Sequence, residues 1–555
     1  MDGRHRRASP HVNPRKAFAG ALGVLVLGAS ACLLPAAFAA FPVTVMVRQG
    51  DAVAGVGSVT KIDNLAISNA GTWIVEAETD ADASSNQVML RSTGLYLREN
   101  QLLPHPPGAA IASFDSVNLN AAGHSGWNFF LRNEPVNADS GVFFDTQLVV
   151  QENDLSTAPQ LSPNTRFSGF FDTKINEAGR IAVVASVDDP LIPTTIDRAL
   201  VILVLDGSGH VLSETALAKE GQVLPGQTQA IADFGTGPHE SAFNDSGQWL
   251  YFADLTGIFL TDGVIYRDLT KIAQEGAPSP VPGRNYEVLA GHGLDLNNRG
   301  EAAFKANLDG DPPTDEDIIV EGEELVHVGS FLPAVSPFRI TAIGASNGPV
   351  PIDDDRNVLW FGDWDNPDTG KDTGLFLNDV VVAQEGLSVA GANVVSFASG
   401  QDSFAMSRNG RYVAFRAVLS DGTEAALRME VQGPPPVPDG AGVPGVEMRA
   451  SRSPNGTDID IAWDVTSCGA TGYNLFYGPL ASVASLSYTG AECGIGVTGH
   501  ASFTPPPEDT FFLIASMDAS GVEGGHGYDS RGRARHTSAG GRCGVVGQIR
   551  SARCP

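Results

Sequence analysis

The chain has 555 residues, too many for one ordinary hydrophobic core, so several domains or a repeat architecture are expected. Gly (63 residues) and Pro (35 residues) are abundant, helix signals are scarce, and short apolar runs alternate with turn residues, which excludes a mainly helical protein. The formal charge of −29 excludes a surface that attracts nucleic acid or anionic lipid. This charge suits simple solubility, with cation binding or a basic partner as alternatives.

Residues 1–39 have the pattern of a secretory signal peptide. Basic residues precede an apolar stretch at 17–34, and Ala37-Phe38-Ala39 is a small-residue cleavage site. A membrane anchor is the alternative, but internal glycines and Pro35 weaken it, and a lipoprotein box ending at Cys32 lacks the usual large aliphatic residue. We therefore expect a bacterial protein that is secreted, periplasmic or on the cell surface, without a membrane span and with a mature charge near −33.

One sequence pattern recurs along the first four hundred residues. An apolar strand, a turn with Asn or Asp and Gly, and a second apolar strand can be read seven times, the sixth time in degenerate form. The copies are residues 67–75, 119–130, 175–183, 243–252, 296–304, 352–361 and 406–415. Asn and Asp tolerate the left-handed backbone conformation and Gly adopts it freely, so each copy is typical of a tight β-hairpin.

Two further strands complete each copy. A third strand is predicted at segments 94–97, 141–144, 257–260 and 374–377, and a fourth ends at 218–221, 273–276 and 383–386. Successive turn glycines are 52 (71 to 123), 56, 68 and 53 residues apart. Four short strands in about fifty residues correspond to one propeller blade, so we predict a seven-bladed β-propeller over residues 43–431.

The two ends of this region are complementary. The seventh copy stops after its third strand at residues 425–431, and residues 43–51 read as a fourth strand without a blade. Pairing of the two would close the ring and cover two exposed strand edges.

Residues 407–415, with the sequence S-R-N-G-R-Y-V-A-F, resemble the S-P-D-G-x-x-I-A-F blade motif of TolB-type, WD40-like propellers. The region 43–431 as a whole resembles secreted bacterial proteins with tandem blades of this kind. The resemblance implies a binding scaffold and no catalytic residue, since the motif residues belong to turns and cores. Pro is missing from the turn in this chain.

A second module is expected behind a linker. Residues 432–445 contain three consecutive prolines, which favour a stiff extended spacer. The Trp463 strand followed by Y-N-L-F-Y-G at 473–478 resembles a fibronectin type III module covering residues 446–520. This resemblance implies a small β-sandwich that acts as a spacer or adhesion unit.

Four of the five cysteines lie in the last fifth of the chain: Cys468, Cys493, Cys543 and Cys554. An even number in an exported chain predicts two disulfides. We expect Cys468 to pair with Cys493 inside the sandwich, and Cys543 with Cys554 in an irregular tail at residues 521–555. A basic cluster in this tail is either solvated or rests on the acidic propeller.

The sequence contains no nucleophile elbow, phosphate-binding loop or H-E-x-x-H motif. His124, His292 and His327 fall at different phases of their copies, and we expect lone loop histidines to be surface residues.

Carboxylates collect in the loops after the second strands, which emerge on one face of a propeller. The best local cation site is formed by Asp363, Asp365, Asp368 and Asp372, whose hard oxygen ligands suit Ca²⁺. Solvated loops are the alternative, and we predict no other cofactor.

These features favour a secreted, non-enzymatic binding or adhesion scaffold whose propeller face takes an extracellular protein or a polysaccharide. The alternative is a hydrolase or lyase with carboxylates from different blades at the channel mouth. Paired acids with perturbed pKa values in the channel would favour that alternative.

Overall fold

The computed structural model describes residues 41–115, 117–192, 197–310, 314–440, 443–535, 542–551 and 553–554. The predicted signal peptide at 1–39, with Cys32, lies outside these residues. The described residues form small, mostly antiparallel β-sheets without an α-helix, so the prediction of an all-β chain is confirmed. Three short 3-10 turns occur among them, at Pro333–Val335, Leu480–Ser482 and Arg542–Gly544. Within this part of the chain, no helix has the length and apolar character that crossing a membrane requires.

Seven antiparallel sheets follow one another along the described residues up to Glu430. Strand β1 is Val43–Arg48 and belongs to the last of these sheets. The first sheet contains β2 (Ala52–Val53), β3 (Gly57–Ile67), β4 (Trp73–Thr79), β5 (Gln87–Arg91) and β6 (Gly94–Arg98); the second contains β7 (Ala110–Asp115), β8 (Gly126–Arg132), β9 (Ser140–Phe144) and β10 (Gln147–Gln151); the third contains β11 (Phe167–Ile175), β12 (Arg180–Val187), β13 (Arg198–Leu205) and β14 (Val211–Lys219). The fourth contains β15 (Ile231–Phe234), β16 (Ser241–Phe243), β17 (Trp249–Leu255), β18 (Gly263–Arg267) and β19 (Thr270–Gln274); the fifth contains β20 (Tyr286–Val288), β21 (Leu294–Leu296), β22 (Ala302–Leu308), β23 (Glu316–Val320) and β24 (Glu323–His327). The sixth contains β25 (Ile340–Ala342), β26 (Leu359–Trp364), β27 (Thr373–Leu377) and β28 (Val380–Gln384); the seventh contains β29 (Ser388–Val389), β30 (Ala392–Phe397), β31 (Phe404–Met406), β32 (Tyr412–Leu419), β33 (Glu424–Glu430) and β1.

The predicted turns join the innermost strand of each sheet to the next one. The turn glycines have φ between 67° and 90°, a region that side chains disfavour; they are Gly71, Gly123, Gly179, Gly247, Gly300 and Gly410. In the degenerate sixth copy, Arg356 takes this conformation instead, with a φ of 65°. The local turn chemistry was therefore readable from the sequence.

The strands after the turns match the predictions in part. Segments 141–144 and 374–377 lie in the third strands β9 and β27, as predicted. The other two third-strand predictions are wrong. Segment 94–97 lies in the fourth strand, β6, because β5 precedes it. Segment 257–260 is a loop in which Phe259 is 81% exposed, and the third strand begins only at Gly263, which the carboxylate of Glu275 anchors by accepting its N–H.

The N-terminal strand pairs with the last strand of the seventh sheet. Val43 lies opposite Met429 and Arg48 lies opposite Ala425 in an antiparallel register. This pairing, predicted from the complementary ends, is confirmed. It joins segments that are more than 370 residues apart in the chain.

Successive sheets pack face to face through shared apolar side chains. Seven clusters of buried residues in the described chain each combine two neighbouring sheets; Ile74 and Phe129, for example, join the first sheet to the second. The seventh sheet packs against the first in the same way, through Ala414 and Val59. Each fully buried Val, Leu, Ile or Phe side chain stabilises the fold by about 1.5–3 kcal/mol.

Two further sheets follow residue 448. One contains β34 (Arg449–Arg452), β35 (Ile459–Ala462) and β38 (His500–Phe503); the other contains β36 (Gly472–Pro479), β37 (Gly490–Glu492), β39 (Thr510–Met517), β40 (Val522–Glu523) and β41 (Gly547–Gln548). Ile461 and Phe503 from the first share a buried cluster with Tyr473, Leu475 and Ile514 from the second. The two sheets therefore have a common core.

The disulfides connect the four predicted cysteines in a different order from the expected one. Cys468 is bonded to Cys554, and Cys493 is bonded to Cys543. The expected pairing was wrong because the tail is not wholly irregular: β41 pairs in parallel with β40, and this returns the end of the chain to the sheet. Two disulfides are compatible with an extracellular or periplasmic protein.

The linker and the tail pack against their surroundings. The hydroxyl of Ser516 donates to the carbonyl of Pro435, so the proline segment lies on the C-terminal sheet. Asn357 and Asn378, in turns beside strands of the sixth sheet, donate to the carbonyls of Arg550 (2.8 Å) and Gln548 (3.0 Å). The tail therefore connects the C-terminal sheets to the sixth sheet.

Candidate functional site

A cavity of about 180 Å³ lies among the innermost strands, and all seven sheets or the loops between their strands contribute to its wall. Strands contribute Leu65, Lys174, Asp295 and Phe404, and loops between strands of the second, fourth and sixth sheets contribute Asn118, His239 and Val350. Because the lining comes from all seven units, no single copy of the sequence repeat contains the site.

The repeated turn asparagines connect neighbouring sheets at one end of the cavity. The side-chain nitrogen of Asn176 donates to the carbonyl of Asn244, that of Asn244 to Asn297, and that of Asn297 to Asp353, at 2.9–3.0 Å. Asn244 also accepts the backbone N–H of Gln248 within its own turn at 2.9 Å. The sequence analysis assigned these residues only to the turns; their recurrence at one position was the signal for a second role.

An ion pair crosses the wall at the same end. Arg408, which follows the first residue of the seventh turn, places Nη1 2.6 Å from Oδ2 of Asp295 in the fifth sheet. The same oxygen accepts the backbone N–H of Ile352 at 2.9 Å.

A buried carboxylate, that of Asp172, contacts residues of the third and fourth sheets. Asp172 on β11 lies 2.8 Å from Nζ of Lys174 and accepts the Ser241 hydroxyl at 2.7 Å. Burial raises the pKa of Asp172 above its ordinary value, against the charge and hydrogen bond of Lys174 and the hydrogen bond of Ser241. The register of β11 shifts between Phe170 and Thr173, so a bulge lies at the position of Asp172.

Asp402 and His239 meet across the cavity. Nε2 of His239 lies 3.1 Å from Oδ1 of Asp402, and both residues line the cavity. Burial alone would raise the pKa of Asp402, but the hydrogen bond and charge of His239, with the charge of Lys174, lower it. Asp402 is therefore ionised at neutral pH.

Glu76 on β4 is buried beside the same group of charges. Burial raises its pKa to about 7; the hydrogen bond that Asn64 donates opposes this shift, and the negative charges of Asp63, Asp402 and Asp115 add to it. A carboxyl with such a pKa can both donate and accept a proton near neutral pH. The sequence carried no signal for Glu76, which lies in the middle of a strand.

Lys305 on β22 is a buried cation of the fifth sheet. Desolvation lowers its pKa to about 8, and the charge of Glu316 opposes this effect. Its Nζ donates to the carbonyl of Ala345 in the sixth sheet. Among the described residues, the inner strands thus carry both acids and bases with displaced pKa values, an arrangement found at binding and catalytic sites.

Four aspartates in the loops after the second strands connect strands of their own sheets. Each of the four lies directly after a second strand and accepts a backbone N–H that precedes or begins the first strand of the same sheet. The pairs are Asp80 with Ser58, Asp188 with Arg166, Asp309 with Asn285, and Asp365 with Arg339. A strand-connecting role accounts for these recurring acids.

The four residues of the predicted Ca²⁺ site lie on and beside the loop between β26 and β27. Asp363 accepts the Thr341 hydroxyl at 3.0 Å, and Asp368 pairs with Lys371 at 3.0 Å. In this part of the described chain, no three of Asp363, Asp365, Asp368 and Asp372 bring ligand atoms within 4.8 Å of one another. Ca²⁺ binding at this loop stays a prediction.

The fold and the cavity define an all-β protein of repeated small antiparallel sheets whose innermost strands surround a charged cavity. Residues 38–263 and 206–423 each match the model of a family described as "Family of unknown function (DUF7453)", and the chain belongs to this family. The two overlapping matches cover the seven sheets except for the strand β33. A comparison with curated protein sequences found no match.

Solved structures resemble the chain only distantly. Puromycin hydrolase in complex with PGG is 11% identical with a TM-score of 0.36; the similarity covers 77% of this chain, which spans only 61% of that hydrolase. Oligogalacturonate lyase in complex with manganese is 11% identical with a TM-score of 0.34, covering 71% of this chain and 99% of the lyase. Trypanosoma rangeli sialidase in complex with the inhibitor DANA is 10% identical with a TM-score of 0.24; the similarity covers 86% of this chain and 87% of the sialidase. Similarity at this level says nothing about the ligand or reaction of this chain.

Proposed function

We propose that the seven sheets are blades of a seven-bladed β-propeller closed by β1, and that this exported protein binds a sugar unit of a polysaccharide in the central cavity. The observation that carries the proposal is the charged group formed by Glu76, Asp172, Lys174, His239 and Asp402 within or beside that cavity. The two C-terminal sheets would act as a fibronectin type III-like spacer behind the propeller.

The packing of the sheets supports a closed ring. Every sheet shares a buried apolar cluster with its successor, and the seventh shares one with the first. Pairing of β1 with β33 also removes two exposed strand edges, which is how closed β architectures avoid edge-to-edge aggregation.

The composition of the cavity supports a polyhydroxylated ligand. Glu76 and Asp172 are buried, whereas Lys174, His239 and Asp402 keep about a fifth of their side-chain surface exposed. A cluster of polar side chains that is open to a cavity in this way suits a polar ligand. Sugar hydroxyls donate to carboxylates such as Asp402 and accept from ammonium groups such as Lys174. The apolar side chains of Leu65, Val350 and Phe404 in the same wall suit the C–H faces of a sugar ring.

Binding of the mature, disulfide-bonded chain to a glycan array tests the proposal. We expect binding to one class of glycan, weakened about 10–100-fold by Lys174→Met or Asp402→Asn, because each removes a charge-assisted hydrogen bond. Lys271→Met and Asp82→Asn, at exposed positions, are the matched controls and should bind as the wild type does. Full retention of glycan binding in both cavity variants would overturn the assignment to the cavity.

A hydrolase or lyase with its site in the same cavity is the second candidate. It rests on one observation: Glu76 has a pKa raised to about 7, whereas the pKa of Asp402 is lowered, which is the division expected of an acid and a base. Incubation with polysaccharides of the bound class, followed by measurement of reducing ends and of unsaturated products, tests it. Cleavage that Glu76→Gln abolishes while binding persists would establish catalysis; binding without cleavage would exclude it.

A further inference from the structure

Three side chains with metal-binding groups come together on the outer hairpin of the fifth sheet. Asp317 lies on β23, and Glu324 and His327 lie on β24. One ligand atom from each of the three lies within 4.8 Å of the others. This hairpin is distinct from the central cavity, since none of the three residues lines it.

A β-bulge brings the three side chains to one face. Asp317 pairs directly with His327, and Ile319 pairs with Glu324, so Leu325 is the extra residue of β24. Residues 324 and 327 would point to opposite faces of a regular strand because side chains alternate with a period of two. The extra residue corrects this alternation, and bulges commonly re-aim side chains in this way.

Asp317 lacks the partners that a buried carboxylate normally has. Its exposure is 0%, and neither of its carboxylate oxygens has a hydrogen-bond partner among the described residues. The hairpin therefore holds two adjoining carboxyl groups, and the buried one of the two has no hydrogen-bond partner among the described residues.

The guanidinium of Arg284, whose charge acts on Asp317, is directed elsewhere. Arg284 points Nε, Nη1 and Nη2 at the carbonyls of Asp309, Thr314 and Leu308, at 2.6, 2.6 and 2.9 Å. It moderates the local charge without forming a hydrogen bond to Asp317. His327 lies against Glu324, and the two side chains are 38% and 30% exposed. This exposure leaves an entry path from solvent.

We propose that Asp317, Glu324 and His327 bind a divalent transition-metal ion, with Zn²⁺ as the best match. Carboxylate oxygens and imidazole nitrogens are both Zn²⁺ ligands, and three protein ligands leave the fourth tetrahedral position for water. Ca²⁺ fits less well because it takes six to eight oxygen ligands. The ion neutralises the buried carboxylate and ties the edge strand β24 to β23.

The test uses the full mature chain, stripped with a chelator and desalted, and measures binding of Zn²⁺ and separately of Ca²⁺ by isothermal titration calorimetry. We expect one Zn²⁺ per chain at this site. Asp317→Asn or His327→Gln should weaken the affinity for Zn²⁺ at least about tenfold, because even the loss of a residue that only hydrogen-bonds to a metal ligand weakens metal binding by this much. His210→Gln is the matched control, because His210 is an exposed histidine beside an aspartate in another hairpin. It should leave the affinity unchanged.

Thermal unfolding separates a metal site from a merely structural carboxylate. Without metal, Asp317→Asn should unfold at the wild-type temperature or higher, because it removes a buried charge without a partner. With Zn²⁺, the unfolding temperature of the wild type should rise, whereas that of Asp317→Asn should not. Equal Zn²⁺ affinity in the wild type and both ligand variants, an equal rise in their unfolding temperatures, or binding of Ca²⁺ in place of Zn²⁺ would overturn the proposal.

Discussion

His239 and Asp402 lie 163 positions apart in the chain, yet Nε2 of the histidine is 3.1 Å from Oδ1 of the aspartate. They lie in loops between strands of the fourth and seventh sheets, and both line the central cavity. Their interaction keeps Asp402 ionised in a site where burial alone would favour the neutral acid.

Replacement of His239 should change the titration of Asp402. In His239→Gln, the hydrogen bond and charge that lower the pKa are lost and desolvation remains, so the pKa of Asp402 should rise. A ¹³C NMR titration of selectively labelled aspartate carboxyls measures this shift. His210→Gln is the control and should leave Asp402 unchanged; an unaltered Asp402 resonance in His239→Gln would contradict the coupling.

Glu76 should make the folded protein less stable as the pH rises, whereas a carboxyl group whose pKa falls on folding makes it more stable. Its pKa rises from 4.5 to about 7 on folding, so the native state holds the proton more tightly and loses stability as the pH rises from about 4.5 to 7. Glu76→Gln removes this loss and should be more stable than the wild type above pH 7, by up to about 3 kcal/mol. Urea unfolding at pH 5 and pH 8 measures the difference. If the difference in unfolding free energy between Glu76→Gln and the wild type did not grow with pH, folding would not raise the pKa of Glu76.

Asn244 should contribute more to stability than its place in a turn suggests. It accepts the N–H of Gln248 and donates to the carbonyl of Asn297 in the next sheet. Because the contact with Asn297 is buried and the contact with Gln248 is partly buried, Asn244→Ala should lower the free energy of unfolding by about 2–3 kcal/mol. Ser246→Ala, at the exposed position of the same turn, should change it by less than about 0.5 kcal/mol. Equal effects of the two variants in chemical denaturation would argue against the connection between sheets.

The disulfides should hold the tail in place. Peptide mapping without reduction should recover Cys468 linked to Cys554 and Cys493 linked to Cys543. The double variant Cys468→Ser/Cys554→Ser opens a loop with a sequence separation of 86 and should lower stability by about 2–5 kcal/mol. Faster proteolysis near Arg550 would accompany it. Peptides linking Cys468 to Cys493 would instead support the pairing expected from the sequence.

Removal of β1 should expose the edge of β33. A chain that begins after Arg48 loses the pairing of Val43 with Met429 and the apolar contact of Val47 with the first sheet. We expect a lower unfolding temperature and concentration-dependent association, measured by calorimetry and light scattering. A monomer of unchanged stability would contradict the closing role of this strand.

Local features of this chain were readable from the sequence because they depend on neighbours along it. Gly71 and Gly410 adopt positive φ because the tight turns in which they lie require this conformation. The apolar strands before and after them follow from the same repeat. Even the long-range pairing of β1 with β33 was predictable, because each end of the repeat lacked one strand.

Features that depend on the packing of distant segments were not predictable in this way. The approach of His239 to Asp402, and the burial of Glu76 beside them, require the sheets to be placed around a common centre. The partner of Cys468 depends on a tail strand of two residues, too short for any periodicity to reveal.

By itself, the sequence determined the hairpins, their repetition and the complementary ends, since turn chemistry and hydrophobic alternation act over a few residues. Only the tertiary structure decided which charges share the cavity, which cysteines bond, and that a bulge at Leu325 aims Glu324 and His327 at Asp317. Side chains far apart in the chain acquire their partners and their pKa values from burial, and burial exists only after the sheets have packed.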